Sequence, residues 1–206
     1  MIAEERSTRL SLAVELVDDF APATPPQQPI TVSLRGHAWR PHPTAGGYIV
    51  FRDLPPGDYT VEVRSAQYLP EDREVHLPHA DPLRPVLSVR LTAGPVYRFP
   101  AGATLLLGVV RDPEGASVSG AVVRLVERQE ASRTAADGRF VLYFKRLTED
   151  DVTRVEGRRL LKAAAAESAL RLRITHADYR TKTIKVERIE EGTVQSLSEP
   201  IVVRPS

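Results

Sequence analysis

The segment Leu10-Ser11-Leu12-Ala13-Val14-Glu15-Leu16 places a large apolar residue at every even position, the period of a strand with one buried face. The alternation returns at Ile30-Thr31-Val32-Ser33-Leu34, Tyr48-Ile49-Val50-Phe51, Tyr59-Thr60-Val61-Glu62-Val63, Glu74-Val75-His76-Leu77 and Leu87-Ser88-Val89-Arg90-Leu91. Turn formers separate these runs, notably Ala45-Gly46-Gly47 and Pro55-Pro56-Gly57-Asp58. The second half repeats the scheme at residues 104–110, 121–126, 139–144, 170–174, 182–186 and 200–203. Short strands at frequent turn signals predict an all-β chain of sandwiches rather than a βαβ array.

The halves correspond in order. Ser11–Asp19 aligns with Thr104–Asp112, Thr44–Tyr48 with Thr134–Phe140, and Tyr59–Leu77 with Leu170–Val186, which sets Tyr68 opposite Tyr179. The pattern predicts two tandem Greek-key-type β-sandwiches over residues 1–97 and 98–206. One stretch breaks it. Residues 148–169 open with Thr148-Glu149-Asp150-Asp151 and run into four alanines (163–166), which predicts a helical insertion capped by its acidic start, although Gly157 weakens it. In the first copy the equivalent place holds only the 55–58 turn.

Phe51-Arg52-Asp53-Leu54-Pro55-Pro56-Gly57-Asp58-Tyr59 resembles the Leu-Pro-Pro-Gly-x-Tyr signature of the carboxypeptidase regulatory-like, or transthyretin-like, β-sandwich family. Gly108-Val109-Val110-Arg111-Asp112-Pro113-Glu114-Gly115, with residues 118–125 and 134–140, is similar to the family's strand and Asp-x-x-Gly turn. Ala66-Gln67-Tyr68 and Ala177-Asp178-Tyr179 stand at its aromatic corner. The first copy departs by lacking the Asp-x-x-Gly turn, and the second by losing Leu-Pro-Pro-Gly to the insertion. The resemblance implies non-catalytic domains that act as spacers, stabilising appendages or binding modules. Small β-sandwich accessory proteins of phage-tail-like and injection assemblies are similar in this respect.

Composition removes chemistries more than it nominates them. The 206 residues contain no cysteine, which excludes disulfides, thiolate metal sites and thiol nucleophiles, and no asparagine, which excludes N-glycosylation and Lys–Asn crosslinks. A net charge of +1 lacks the basic excess of a protein that grips a phosphate backbone, so no nucleic acid is expected. Arginine outnumbers lysine 24 to 4, as in G+C-rich bacterial coding. No signal peptide is visible at the start, which points to cytoplasmic synthesis, and the apolar runs are too short for membrane insertion.

No Gly-x-Ser-x-Gly elbow, phosphate-cradling glycine loop or His-x-His pair occurs, so neither an enzyme nor a cofactor is expected. His76 and His79 could be completed as a metal site by Asp81, but a proline between them favours solvated loop histidines. Glu149-Asp150-Asp151 could feed a calcium ion, yet capping accounts for it. The expected chemistry is contact with a protein partner in a larger assembly. The 36–43 loop carries the sole tryptophan, Trp39, beside His37, Arg40 and His42; the ring either folds back to plug the end of the small core or stays out as a protein hot spot, with stacking on a sugar ring as the alternative contact. Phe20 would anchor a second contact in the proline-rich 20–29 loop. Arg154 and Arg158 fall at helical spacing and would line a basic stripe in a half with 18 basic against 15 acidic residues. Self-association by sheet extension is expected if residues 10–16 or 201–203 form an edge.

Overall fold

The computed structural model describes residues 9–128, 130–163 and 169–206. The chain parts into two compact units, the first ending at Ala93 and the second running from Gly94 to Ser206. Both are all-β sandwiches. Among the described residues no helix is long and apolar enough to cross a membrane.

The first unit contains β1 (Leu10–Asp18), β2 (Ile30–Leu34), β3 (His42–Pro43), β4 (Tyr48–Arg52), β5 (Gly57–Ser65), β6 (Glu71–Leu77) and β7 (Val86–Leu91). They form sheets of order β3-β4-β1-β7 and β2-β5-β6. Period-two alternation points Leu12 and Val14, Phe51, Val32 and Leu34, Tyr59, Val61 and Val63, and Val89 and Leu91 into one core, all buried. Strand β1 is central, antiparallel to β4 and parallel to β7. Residues 10–16 are therefore not an edge, and sheet extension through them is ruled out because both flanks are already paired.

The second unit contains β8 (Thr104–Arg111), β9 (Val122–Leu125), β10 (Ala131–Arg133), β11 (Arg139–Phe144), β12 (Val152–Val155), β13 (Arg158–Leu161), β14 (Leu170–His176), β15 (Tyr179–Val186), β16 (Val194–Ser196) and β17 (Ile201–Val202). Its sheets run β11-β8-β16, with β17 also on β8, and β10-β9-β14-β15. The plan repeats the main strands of the first unit, but β10 pairs with β9 where β3 pairs with β4, and the β12–β13 hairpin is added. The opening strand β8 lies between an antiparallel β11 and the parallel β16 and β17, while β9-β14-β15 reproduces β2-β5-β6. The paired tyrosines repeat too, since Tyr68 bridges to Ala93 and Tyr179 to Pro205.

The expected helix over 148–169 is replaced by the antiparallel hairpin β12–β13. Glu156 and Gly157 both take positive φ (50° and 81°), the conformation of a two-residue type I′ turn. The glycine that weakened a helix is thus the turn of a hairpin, and Val152, Thr153 and Val155 favour the extended backbone around it. Asp151 caps a turn instead of a helix: its carboxylate accepts from the Thr148 N–H and hydroxyl, both at 2.8 Å. The hairpin inserts Val152 and Leu161 into the core beside Phe140, Leu142 and Leu170. Most of the alanine run falls at 164–168, outside the described residues.

Tyr97, expected to end the first domain, belongs to the second unit because it is buried with its ring 4.6 Å from that of Phe99. Phe99 in turn lies 5.6 Å from Tyr143. These rings lie along the outer face of β11, where Val141 is wholly buried.

Candidate interaction surface

In the first unit the edges β2 and β3–β4 diverge, and the space between them is a groove of about 760 Å³. Its walls include Leu16 of β1, Ile30 of β2, Pro41, Pro43, Tyr48 and Ile49, and prolines 22, 25 and 26 close one side. Strand β2 is paired to β5 alone, so one of its flanks adjoins this groove. The proline loop is fixed by a buried carboxylate. Asp18 accepts from the N–H groups of Phe20 (2.8 Å) and Ala21 (3.1 Å), and from the Tyr68 hydroxyl (2.7 Å). The same Tyr68 oxygen accepts from the Gln27 N–H at 2.8 Å, tying the far end of the loop. One tyrosine and one aspartate thereby order a ten-residue loop against the sandwich.

The sequence-nominated residues distribute unevenly around this groove. Trp39 is 39% exposed on the loop between β2 and β3, with Arg40 exposed beside it. His37 leans on Tyr59 with ring centroids 5.3 Å apart, and its N–H closes a turn on the Leu34 carbonyl. His42 lies in β3 opposite Val50, exposed. Phe20 is half-buried next to Asp18 and is not among the groove walls. Arg154 and Arg158 are in the second unit on the β12–β13 hairpin, both exposed. Helical spacing does not align them, because the residue across from Arg154 is Arg159. Carboxylates also dilute their charge: Arg159 pairs with Glu149 at 2.6 Å and with Glu191, and Arg158 reaches Glu190 at 4.0 Å. The Arg159 guanidinium holds the Glu149 carboxyl below its usual range.

The histidine pair does not converge. His76 Nδ1 lies 2.7 Å from Asp58 Oδ1 across the β5–β6 ladder, while His79 turns to the Asp81 backbone. Among the described residues no group of three or more metal-ligating side chains forms. Asp151 is committed to Thr148 and to Arg128 at 2.6 Å, and these contacts lower its carboxyl to about 2. Sequence reasoning missed the groove and Tyr48, since it could not tell which strands are edges. The prolines at 22, 25, 26 and 41 in the loops on either side of β2, with Pro43 in β3, were the available signal.

No family model matches the chain, and no curated protein matches it. Solved structures do. One is a type II cohesin–X-dockerin complex from Acetivibrio cellulolyticus, 17% identical over 48% of this chain and 56% of that one, with a TM-score of 0.29. The Bacillus anthracis TIE protein is 12% identical over 96% and 34%, with a TM-score of 0.33. A streptococcal ancillary pilin is 14% identical over 98% and 63%, with a TM-score of 0.31. The chain thus spans less than two thirds of each of these three chains. The class defined by its own architecture is the tandem all-β sandwich; the carboxypeptidase regulatory-like label is finer than any family model supports.

Proposed function

We propose that the chain is a non-catalytic adaptor that acts by protein–protein contact, as a subunit of a larger assembly, and that its two units are diverged carboxypeptidase regulatory-like sandwiches. The observation that carries the contact role is the groove between the β2 and β3–β4 edges. Its walls mix apolar groups such as Leu16, Ile30 and Ile49 with polar ones such as Glu15, Thr24 and Thr31, its prolines lose little entropy on docking, and Asp18 and Tyr68 hold it in shape before a partner arrives. A partner strand laid along β2 would gain main-chain hydrogen bonds there and apolar contact with Leu16 and Ile49. The family-level proposal draws on the repeated core plan of the two units, a central strand between an antiparallel and a parallel neighbour facing a β2-β5-β6 or β9-β14-β15 sheet, and on Leu54-Pro55-Pro56-Gly57-Asp58-Tyr59.

A glycan-binding reading is favoured by one separate observation, the exposure of Trp39 beside Arg40 and His42. Affinity capture of the tagged full chain from its native lysate separates the two, with Tyr48→Arg and Trp39→Ala run alongside. The expected result is a protein retained at comparable abundance by the parent and lost with Tyr48→Arg. Retention of glycans alone, abolished by Trp39→Ala and untouched by Tyr48→Arg, would replace the adaptor reading with the second one.

A further inference from the structure

The outer face of the β10-β9-β14-β15 sheet carries five cations: Arg133, Arg124, Arg173, Arg171 and Lys185. Register places them close together. Arg124 is directly opposite Arg173, and Arg171 directly opposite Lys185. Directly opposed Cβ atoms lie about 5 Å apart and diagonal ones about 7 Å, and like charges so opposed destabilise a sheet. Arg171 is answered by Glu127 at 2.8 Å. Arg124, Arg173 and Lys185 are exposed and form no ion pair with any described residue.

The equivalent sheet of the first unit handles the same problem differently. There Glu62 stands directly opposite Asp72, and Arg35 and Arg64 both bridge the two carboxylates. One copy of the fold neutralises its like-charged rung from within, while the other leaves its rung to an outside counter-charge. From this contrast we infer that the outer β9-β14-β15 face is a binding surface for a linear anionic polysaccharide bearing sulfate or carboxylate groups.

The chemistry of the face selects that partner. Guanidinium groups engage sulfate and carboxylate in two-point hydrogen bonds, and Thr183, across from Arg173, adds a hydroxyl suited to sugar. The apolar content of the face is Val122 and Ala131, too little for the core of a protein interface. No aromatic ring stands among these positions, so bases of a single strand would find nothing to stack on. The surface lies wholly in the second unit and is independent of the groove in the first.

Heparin is the probe, titrated against the full chain at an ionic strength of about 0.15 M, where weak surface attraction is screened. Arg124→Ser with Arg173→Ser is expected to weaken binding about tenfold or more. Arg52→Ser with Arg84→Ser, which removes the same charge from exposed sites of the first unit, is expected to leave it unchanged. The thermal midpoint of the first double variant should hold or rise, since a repulsive rung is relieved. Equal loss in both double variants would reduce the effect to net charge and overturn the assignment. A short DNA duplex that competes heparin away at equal or lower concentration would overturn it in favour of a nucleic acid, and a falling midpoint would make the arginines structural.

Discussion

A few buried polar side chains do disproportionate work, and Asp18 is the clearest. Its carboxylate, 1% exposed, satisfies two backbone N–H groups and the Tyr68 hydroxyl. Truncation would leave these donors to find partners in a buried site, at about 1–3 kcal/mol for such a group. Asp18→Ala is therefore expected to lose about 3 kcal/mol in urea unfolding, and to loosen the 20–29 loop so that proteases cut it. Thr134 plays a comparable part in the second unit. Its hydroxyl accepts from the Ala121 N–H at 2.9 Å and donates to the Val118 carbonyl at 2.6 Å. The isosteric Thr134→Val should cost about 2 kcal/mol by the same argument, read as a lower denaturation midpoint with little change in slope. Neither role was legible in the sequence. Asp18 reads there as the first residue of a polar turn, and only the position of Tyr68, fifty residues away, reveals what it holds.

The strands themselves were legible because alternation has one physical cause, a sheet with one face on a core. The second sandwich's insertion was not, because Val152–Leu161 is too short for period to decide between helix and hairpin, and the decision fell to the Glu156-Gly157 turn. The base of this hairpin gives a pH prediction. Asp151 is lowered to about 2 first by hydrogen bonds from Thr148 and then by Arg128. A carboxyl depressed on folding contributes stability that is complete above its unfolded value of 3.8 and fades as pH falls toward 2. Unfolding midpoints of the second unit should drop between pH 4 and pH 2, and Asp151→Asn should flatten that drop. Gly138 sets another limit at the start of β11. It sits at φ 76°, and a Cβ there would lie 2.5 Å from the Val110 carbonyl oxygen, part of the β8 backbone and unable to swing away. Gly138→Ala should destabilise the second unit by about 2 kcal/mol or more through strain and clash together.

At the scale of the whole chain, the duplication was readable from aligned segments, and the architecture repeats it down to the parallel closing strands. Edges were unreadable, since pairing partners come from residues far apart, and the groove depends on them. The division after Ala93 makes residues 94–103 part of the second unit, where Tyr97 and Phe99 stack toward Tyr143. A fragment of residues 94–206 should melt cooperatively, while one starting at 104 should melt lower and bind a hydrophobic dye, because Tyr143 loses the ring of Phe99 packed against it. The parallel closure of each sandwich also sets a timetable. Strand β1 waits for β7, and β8 waits for β16 and β17 some ninety residues later. During synthesis the first sandwich therefore has all its strands before the second has begun to emerge. The second stays open until residues 194–202 leave the ribosome, so its exposed strand edges are at the disposal of chaperones for most of its translation.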